Sequence, residues 1–258
     1  LPSHMRQCFL YCSIFPEAFL IERQYIIEQW ISEGFIHKKR KSNLEEAAES
    51  CYYELIGRGL LYLHFREDGL VGAKMPFIIR SFIKDVSDNE NFCNESVSTE
   101  NLFNARRLSV VGDNTVIVNG SEIAEHDSGA NTTAEPAVGN NNGTDDEFSS
   151  SDSESRIDAT TFVGKSLRGL GAMKRLRTLV LRKSTVPDGI LEDAFKQLTL
   201  LRVVDLREAM GITILPATVG RLLFLKYLNI SDTNIKKVPW SIQNLGLLQY
   251  LLLSNCKL

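Results

Sequence analysis

Histidine and cysteine are sparse in this chain, and neither is spaced for metal. Its 258 residues hold four histidines and five cysteines. Cys8, Cys12, Cys51, Cys93 and Cys256 form no C-x-x-C pair, and His4, His37, His64 and His126 are scattered, which excludes a zinc site. An odd set of unpaired thiols fits a reducing, intracellular compartment. Cys8 and Cys12, four residues apart on an expected helix, read as small buried hydrophobes. No apolar run is long enough to cross a bilayer, and there is no secretory signal, so five Asn-x-Ser/Thr sequences, starting at Asn94, Asn119, Asn131, Asn142 and Asn229, read as products of Asn/Ser/Thr richness. Leu1 stands where an initiator Met would be. The last repeat ends at Leu258 without the polar cap that a stacked array needs, so both ends are expected to belong to a longer chain.

Catalytic groupings are missing too. No Ser/His/Asp or Cys/His set has supporting spacing. Paired acids such as Asp145-Asp146 lie in a polar stretch where nothing holds them for acid–base work. Gly164-Lys165-Ser166 imitates the end of a phosphate loop, but the glycine required five positions earlier is Ala159, and no strand precedes it.

Charge is unevenly placed. The net charge is −3, yet residues 113–160 carry 11 acidic side chains and one Arg, leaving 28 basic against 21 acidic elsewhere. That segment is rich in Asn, Gly, Ser and Thr and poor in aromatics, so it cannot bury enough apolar surface to fold alone. It reads as a disordered acidic insertion, tolerated because loop length costs little. Two further options are a phosphorylation cluster at Ser149–Glu154 and an intramolecular decoy for basic surfaces.

What the chain does have is a repeat. Leu176-Arg-Thr-Leu179-Val-Leu181 recurs as Leu201-Arg-Val-Val204-Asp-Leu206, Leu225-Lys-Tyr-Leu228-Asn-Ile230 and Leu248-Gln-Tyr-Leu251-Leu-Leu253, at intervals of 25, 24 and 23 residues. The last copy continues to Cys256 and Leu258. L-x-x-L-x-L at this period is the signature of a leucine-rich-repeat solenoid, one short strand per turn. Arg107-Leu108-Ser109-Val110 is expected to supply an earlier strand. The leucines should stack inward, and the residues between them should face outward. Val180, Arg182, Lys183, Asp205, Arg207, Tyr227, Asn229, Tyr250 and Leu252 are the outward candidates for partner binding, because aromatic and Arg positions anchor interfaces.

The first third reads differently. Residues 3–12 form a helix with Met5, Cys8, Phe9 and Cys12 on one face, N-capped by Ser3 and ended by Pro16. A second helix, 22–33, pairs Ile26 with Trp30 and Ile27 with Ile31, and stops at Gly34. His37-Lys-Lys-Arg-Lys41 is a basic turn. Ser42-Asn-Leu-Glu45 is a capping box opening a third helix that carries Ala48, Cys51 and Leu55 inward and stops at Gly57. Strands at 60–65 and 70–73 flank the Glu67-Asp68-Gly69 turn. Pro76 starts a last helix with Ile79, Phe82, Ile83 and Val86 as its apolar stripe. Three helices, a hairpin and a closing helix describe a winged helix. The helix that would read DNA, 44–56, carries Glu45, Glu46, Glu49 and Glu54, which repel phosphate.

Several stretches resemble plant NLR immune receptors of the coiled-coil class. Cys8-Phe-Leu-Tyr-Cys12-Ser-Ile-Phe15-Pro16-Glu17 is similar to the C-F-L-Y-C-S-x-F-P-E motif that opens the winged-helix part of their nucleotide-binding (NB-ARC) module. Ile27-Glu-Gln-Trp30-Ile-Ser-Glu-Gly34-Phe35 and Glu54-Leu55-Ile56-Gly-Arg58-Gly-Leu60 look like later motifs of that part. Asn104-Ala-Arg106-Arg107-Leu108-Ser109-Val110 resembles the sequence that opens the family's repeats.

The resemblance implies an α+β multidomain chain. Residues 1–87 would be a winged-helix domain, 88–104 a connector, and 105–258 leucine-rich repeats interrupted at 113–160. It implies a non-catalytic regulatory and recognition role, with ADP or ATP held by the full-length receptor rather than by this stretch alone. Partners would be the upstream nucleotide-binding domain of the same chain, a pathogen effector or guarded host protein, and a paired receptor. The place would be the cytoplasm, with membrane-peripheral or nuclear pools. The first repeats would pack on the nucleotide-binding module and hold it closed, with Arg182, Lys183 and Arg207 supplying charge. The family's Met-His-Asp, whose His approaches the β-phosphate of ADP, aligns with Met75-Pro76-Phe77. Pro and Phe offer no side-chain donor, which puts the ADP latch in doubt. The competing reading is a repeat scaffold with a nucleic-acid-binding winged helix.

Overall fold

The computed structural model describes residues 1–17, 19–37, 43–65, 69, 71–90, 92–93, 106–111, 173–187 and 189–257. The basic run 38–41, Ser42, Glu67-Asp68, most of the connector, the acidic segment 113–160 and Gly164-Lys165-Ser166 lie outside the described residues.

The first layer is mostly helical. Helix α1 (Ser3–Tyr11) begins one residue earlier than the sequence suggested: Pro2 occupies the N-cap and Ser3 is already helical. A 3-10 turn (Cys12–Ile14) follows. Strand β1 (Ile21–Glu22) leads into α2 (Arg23–Glu33), which ends at left-handed Gly34 (φ 82°) as expected. In α3 (Leu44–Gly57) the capping box is Asn43/Glu46 rather than Ser42/Glu45. Asn43 Oδ1 accepts the Glu46 N–H at 2.6 Å, and Glu46 Oε2 accepts the Asn43 N–H at 3.3 Å. Gly57 is still helical. The stop is Gly59 (φ 71°), whose N–H reaches the Ile56 carbonyl while Leu60 N–H reaches that of Leu55, the paired closure of a left-handed cap.

Strands β2 (Tyr62–Phe65) and β3 (Val71–Lys74) form the expected hairpin, and β1 adds an unforeseen third strand in the order β1-β3-β2, all antiparallel. At the β1–β3 crossing a Cβ on Gly72 would sit 2.7 Å from Leu20 and 2.9 Å from the Ile21 carbonyl, so this close approach needs glycine. Helix α4 (Phe77–Asn89) buries Ile83 and half-buries Ile79 and Val86, but Phe82 points outward, contrary to the expected stripe. Around Met5, Cys8, Cys12, Trp30, Cys51, Tyr52 and Leu55 these elements close a core. The five thiols are free, and four are buried. Burial pushes the Cys93 thiol up to about 12, which makes it inert.

The second layer is a five-stranded parallel sheet in chain order: β4 (Arg107–Val111), β5 (Thr178–Arg182), β6 (Val203–Asp205), β7 (Tyr227–Asn229) and β8 (Tyr250–Leu252). Leu108, Leu179, Val204, Leu228 and Leu251 are paired rung to rung, and the inward aliphatics form a second core. The return segments are α5 (Ile190–Gln197) and then 3-10 turns at Ala217–Arg221 and Trp240–Asn244. Pro216 and Pro239 are the extended N-cap residues that lead into the 3-10 turns, where the fixed φ of proline is accommodated.

Each turn leaves its strand through a left-handed residue at one repeat position: Lys183 (φ 57°), Glu208 (61°), Asp232 (58°) and Asn255 (55°). The next residue is tucked under: Ser184 and Thr233 donate to the Leu181 and Ile230 carbonyls at 2.9 and 2.7 Å. Asp and Asn tolerate that backbone, whereas Lys and Glu are strained in it. Lys183→Asn is therefore expected to raise unfolding free energy by ~0.5–1 kcal/mol, despite losing the exposed Lys183–Glu208 pair, worth little. Urea denaturation of the two proteins measures it.

Candidate functional site

Helix α2 lies between the two layers. From Tyr25 to Glu33 every residue is buried, polar ones included. One side belongs to the first core, and the other covers the outward face of β4–β7. Glu22 and Tyr25, at its start, meet Arg207, Arg182 and Asp205, where strands end. Glu33, at its end, meets Arg107, Thr178 and Arg202, where strands begin. The helix thus runs antiparallel to the strands it covers.

The Glu33 end is dry. The Glu33 and Arg107 side chains are 0 % and 3 % exposed and pair through two bonds, Nε–Oε1 at 2.8 Å and Nη2–Oε2 at 3.0 Å. Thr178 Oγ1 also donates to the carboxylate. Arg202 Nη1 donates to the Glu33 backbone carbonyl at 2.7 Å, capping the negative end of the helix. The Arg107 guanidinium lies 4.1 Å from the Phe92 ring centroid, 5.0 Å from Phe35 and 6.0 Å from Tyr11. Burial alone would lower its pKa, but Glu33, with Cys93 and Tyr11 beside it, holds it above the ordinary value. The cation is thus matched by a carboxylate and aromatic faces.

Toward the other end the contacts become wetter. Tyr25 Oη donates to Asp205 Oδ2 at 2.6 Å, while Asp205 Oδ1 accepts the Arg207 N–H at 3.0 Å. One turn on, Asn229 Oδ1 accepts the Ser231 N–H at 3.0 Å and Asn229 Nδ2 donates to Tyr227 Oη at 3.2 Å. Arg182 lies over Phe19 and Tyr25, with Glu208 at 3.4 Å. Among the described residues its Nε and Nη1 have no hydrogen-bond partner. Arg207 reaches Asp232 at 3.2 Å and Glu22 at 3.5 Å. Beyond it a cleft of about 290 Å³ opens between α2 and β6–β8, walled by Glu22, Glu28, Arg207, Tyr227 and Asp232.

Several residues expected to face a partner are therefore occupied within the chain. Val180, Asp205 and Tyr227 are fully buried, and Arg182 and Asn229 nearly so. The alternation placed them on the outward face correctly, but α2 covers that face. Arg207, Tyr250 and Leu252 are half-buried, and Lys183 is exposed. Arg182 and Arg207 do bring charge to the contact between layers, whereas Lys183 pairs only with Glu208 among the described residues. Sequence reasoning missed Glu33, Tyr25 and Arg202. The available signal was α2 itself, whose apolar residues Tyr25, Ile26, Ile27, Trp30 and Ile31 are not confined to one narrow stripe, as suits a helix between two partners.

At the Met75-Pro76-Phe77 position, Met75 packs against the first core, Pro76 is the N-cap of α4, and Phe77 is 64 % exposed beside Ile78 at 79 %. Arg80 on the same helix donates twice to the Phe15 carbonyl, at 2.7 and 3.1 Å, tying α4 to the Phe15-Pro16 segment. Glu45, Glu46 and Glu54 are exposed on α3, an unfavourable face for nucleic acid. Among the described residues no cluster of metal-ligating side chains occurs, and no helix is long and apolar enough to cross a membrane.

Glu33→Gln would leave Arg107 buried without its counter-charge. It is expected to cost ~3–5 kcal/mol, read by chemical denaturation, and more than Glu54→Gln, whose Arg58 partner is solvated. Asp205 gives a pH signature. Burial raises its pKa, against the Tyr25 and Arg207 hydrogen bonds that lower it. The folded chain thus holds this proton more tightly than the unfolded chain. The contribution favours folding at acid pH and is lost as pH rises from the ordinary carboxylate range through the raised value. Asp205→Asn can copy the Asn229 arrangement, so its stability relative to the parent should grow with pH across that window and then level off. Asp205→Ala, which strands the Tyr25 hydroxyl and Arg207 N–H, should cost ~1–3 kcal/mol at neutral pH. Denaturant midpoints at a series of pH values separate the cases.

Residues 14–86 match the winged-helix domain of disease resistance proteins. Relatives extend further. The chain is 28 % identical to the disease resistance protein RPS5 and 27 % identical to SUMM2, each over 93 % of its own length, and 26 % identical to RFL1 over 98 %, all from Arabidopsis thaliana. It spans only 23 %, 23 % and 24 % of those proteins. A disease-resistance winged helix in the first layer, and likeness to these proteins running on through the second, make the chain similar over most of its length to NLR-type plant disease resistance proteins.

Proposed function

We propose that this chain is the hinge-and-sensor part of a nucleotide-switched immune receptor in the cytoplasm. The winged helix helps to hold an ADP-bound resting state, and the parallel coil is a leucine-rich-repeat solenoid that restrains it and receives the recognition signal. The chain itself is a regulatory and recognition module, and nucleotide chemistry belongs to a domain upstream. The carrying observation is α2, a winged-helix element whose far side is seated on the outward face of β4–β7 through buried Glu33. A change in the position of the repeats must move that helix, and with it the winged-helix core.

Two features support an upstream domain as the next neighbour. Phe77, Ile78 and Phe82 leave an apolar stripe on α4, at 64, 79 and 64 % exposure, of the kind that marks an interface. At the Met75-Pro76-Phe77 position, the groups left to face a phosphate are backbone N–H groups of the first turn of α4, since Pro76 has no side-chain donor. A pathogen effector, a guarded host protein or a paired receptor would act through surfaces that α2 leaves open, Lys183, Tyr250 and Leu252 among them.

The test uses the full-length receptor. Glu33→Arg faces Arg107 with a like charge and should part the layers. ADP co-purifying with the receptor is then expected to fall several-fold, with partial recovery when Arg107→Glu is added. A receptor in which limited proteolysis shows the layers parted while ADP content is unchanged would overturn the proposal.

A further inference from the structure

The cleft of about 290 Å³ between α2 and β6–β8 is built by two periodicities. Gln24 and Glu28 are four residues apart on α2 and Tyr25 and Glu28 three, so the three share one side of the helix. Opposite them, Tyr227 and Asn229 leave β7 on the same face. Leu252 on β8 is in register with Asn229 and extends that wall.

The lining is acidic. Glu22, Glu28 and Asp232 stand against Arg207, three carboxylates to one guanidinium. Arg207 is already shared among Asp232 at 3.2 Å and Glu22 and Glu208 at 3.5 Å, and it makes no pair with Glu28. Glu28 is 8 % exposed. Its Oε1 accepts from Gln24 Nε2 at 2.8 Å. Among the described residues its Oε2 has no hydrogen bond, and the carboxylate has no cation. Burial raises its pKa, the Gln24 bond opposes the rise, and Glu45 adds to it. A carboxylate so placed is ordinarily paired. Arg107 does this for Glu33 at the other end of the same helix. Helix α2 thus carries one buried acid with its counter-charge and one without, and the second borders a cleft.

Size and chemistry select what fits. A volume of about 290 Å³ lies at the lower limit of small-molecule pockets, ~300–1,000 Å³, and suits one long side chain. Leu252 gives a methylene stem an apolar surface to lie on. A guanidinium brings five donors in a planar fork, enough to serve more than one carboxylate, whereas an ammonium is a compact point charge.

We propose that this cleft receives an arginine side chain presented by a protein partner, with Glu28 as the principal acceptor and Glu22 and Asp232 as further ones. The incoming guanidinium competes with Arg207 for Glu22 and Asp232, at the solvated start of α2. Transmission of that event to the winged helix rests on the function proposed above; the binding does not.

The experiment titrates the full chain with the peptide Ser-Gly-Ser-Arg-Ser-Gly-Ser and follows backbone amide NMR shifts. The amides of Asn229, Leu252 and Ser254 should move, and the same peptide with neutral citrulline for arginine should leave them in place. Glu28→Gln keeps an acceptor for Gln24 and should weaken binding by about ten-fold or more. Glu28→Asp, which keeps the charge, should bind more tightly than Glu28→Gln. Exposed Glu45→Gln should cost no more than about two-fold. Equal binding of the citrulline peptide, shifts confined to other parts of the chain, affinity indifferent to Glu28→Gln, or no binding up to about 10 mM peptide overturns the proposal. Spermidine binding at these amides as tightly as the peptide also overturns it, because the occupant would then be a small polyamine. Peptide binding reports on the cleft alone, and ADP content under Glu33→Arg reports on the hinge, so the two readings fail separately.

Discussion

A carboxylate at the wrong end of a helix organises this molecule. Glu33 closes α2, where the helix dipole disfavours an anion, and it is wholly buried. It is tenable there only because the second layer brings Arg107 to its oxygens, Thr178 to one of them and Arg202 to its backbone carbonyl. Those three residues come from β4, β5 and the entry to β6. One side chain thus reads the relative placement of three consecutive turns, and no other register of α2 on the sheet would satisfy it.

The strength of such a contact differs from its specificity. Taking Glu33 and Arg107 out of water costs several kcal/mol per ion, and their attraction returns little more than that. Docked in register, the pair is satisfied. Shifted but still dry, it leaves bare charges. Fully parted, both ions recover their hydration. An interface keyed this way punishes misplacement more than separation, unlike one made of leucines, where every partial separation exposes apolar surface in proportion. That energetic character suits the switching proposed for the two layers.

The sequence made the second layer legible and the join between layers nearly illegible, for a physical reason. Stacked rungs repeat, so Leu179, Val204, Leu228 and Leu251 declare their register through spacing alone. Periodicity also says that Val180, Asp205 and Tyr227 point away from that core, but it is silent about what lies above them, and α2 lies there. Strand β1 has two residues, too few for any alternation to show. The capping box slipped by one because Ser42/Glu45 and Asn43/Glu46 meet the same spacing rule. Gly57 drew the stop away from Gly59 because composition cannot show which glycine has positive φ. Single pairings such as Glu33 with Arg107, 74 residues apart, leave no pattern in one sequence.

The two ends of α2 are held by different physics, and this gives the contact a direction. At Glu33 the partners are dry and little screened by salt. At Glu22, Arg207 and Asp232 roughly 29 % of each side chain remains exposed, and a cleft already admits solvent beside them. Exposed pairs of that kind contribute little, so the start of α2 is the weaker end. Tyr25 and Asp205 stand between, the last dry hydrogen bond before the wet network. Force or competition applied near β7 and β8 meets the weak end first, while the pivot at β4 and β5 still holds. In the switching proposed above, the Arg107 edge would therefore be the pivot, and the acid that holds it is carried by the winged helix.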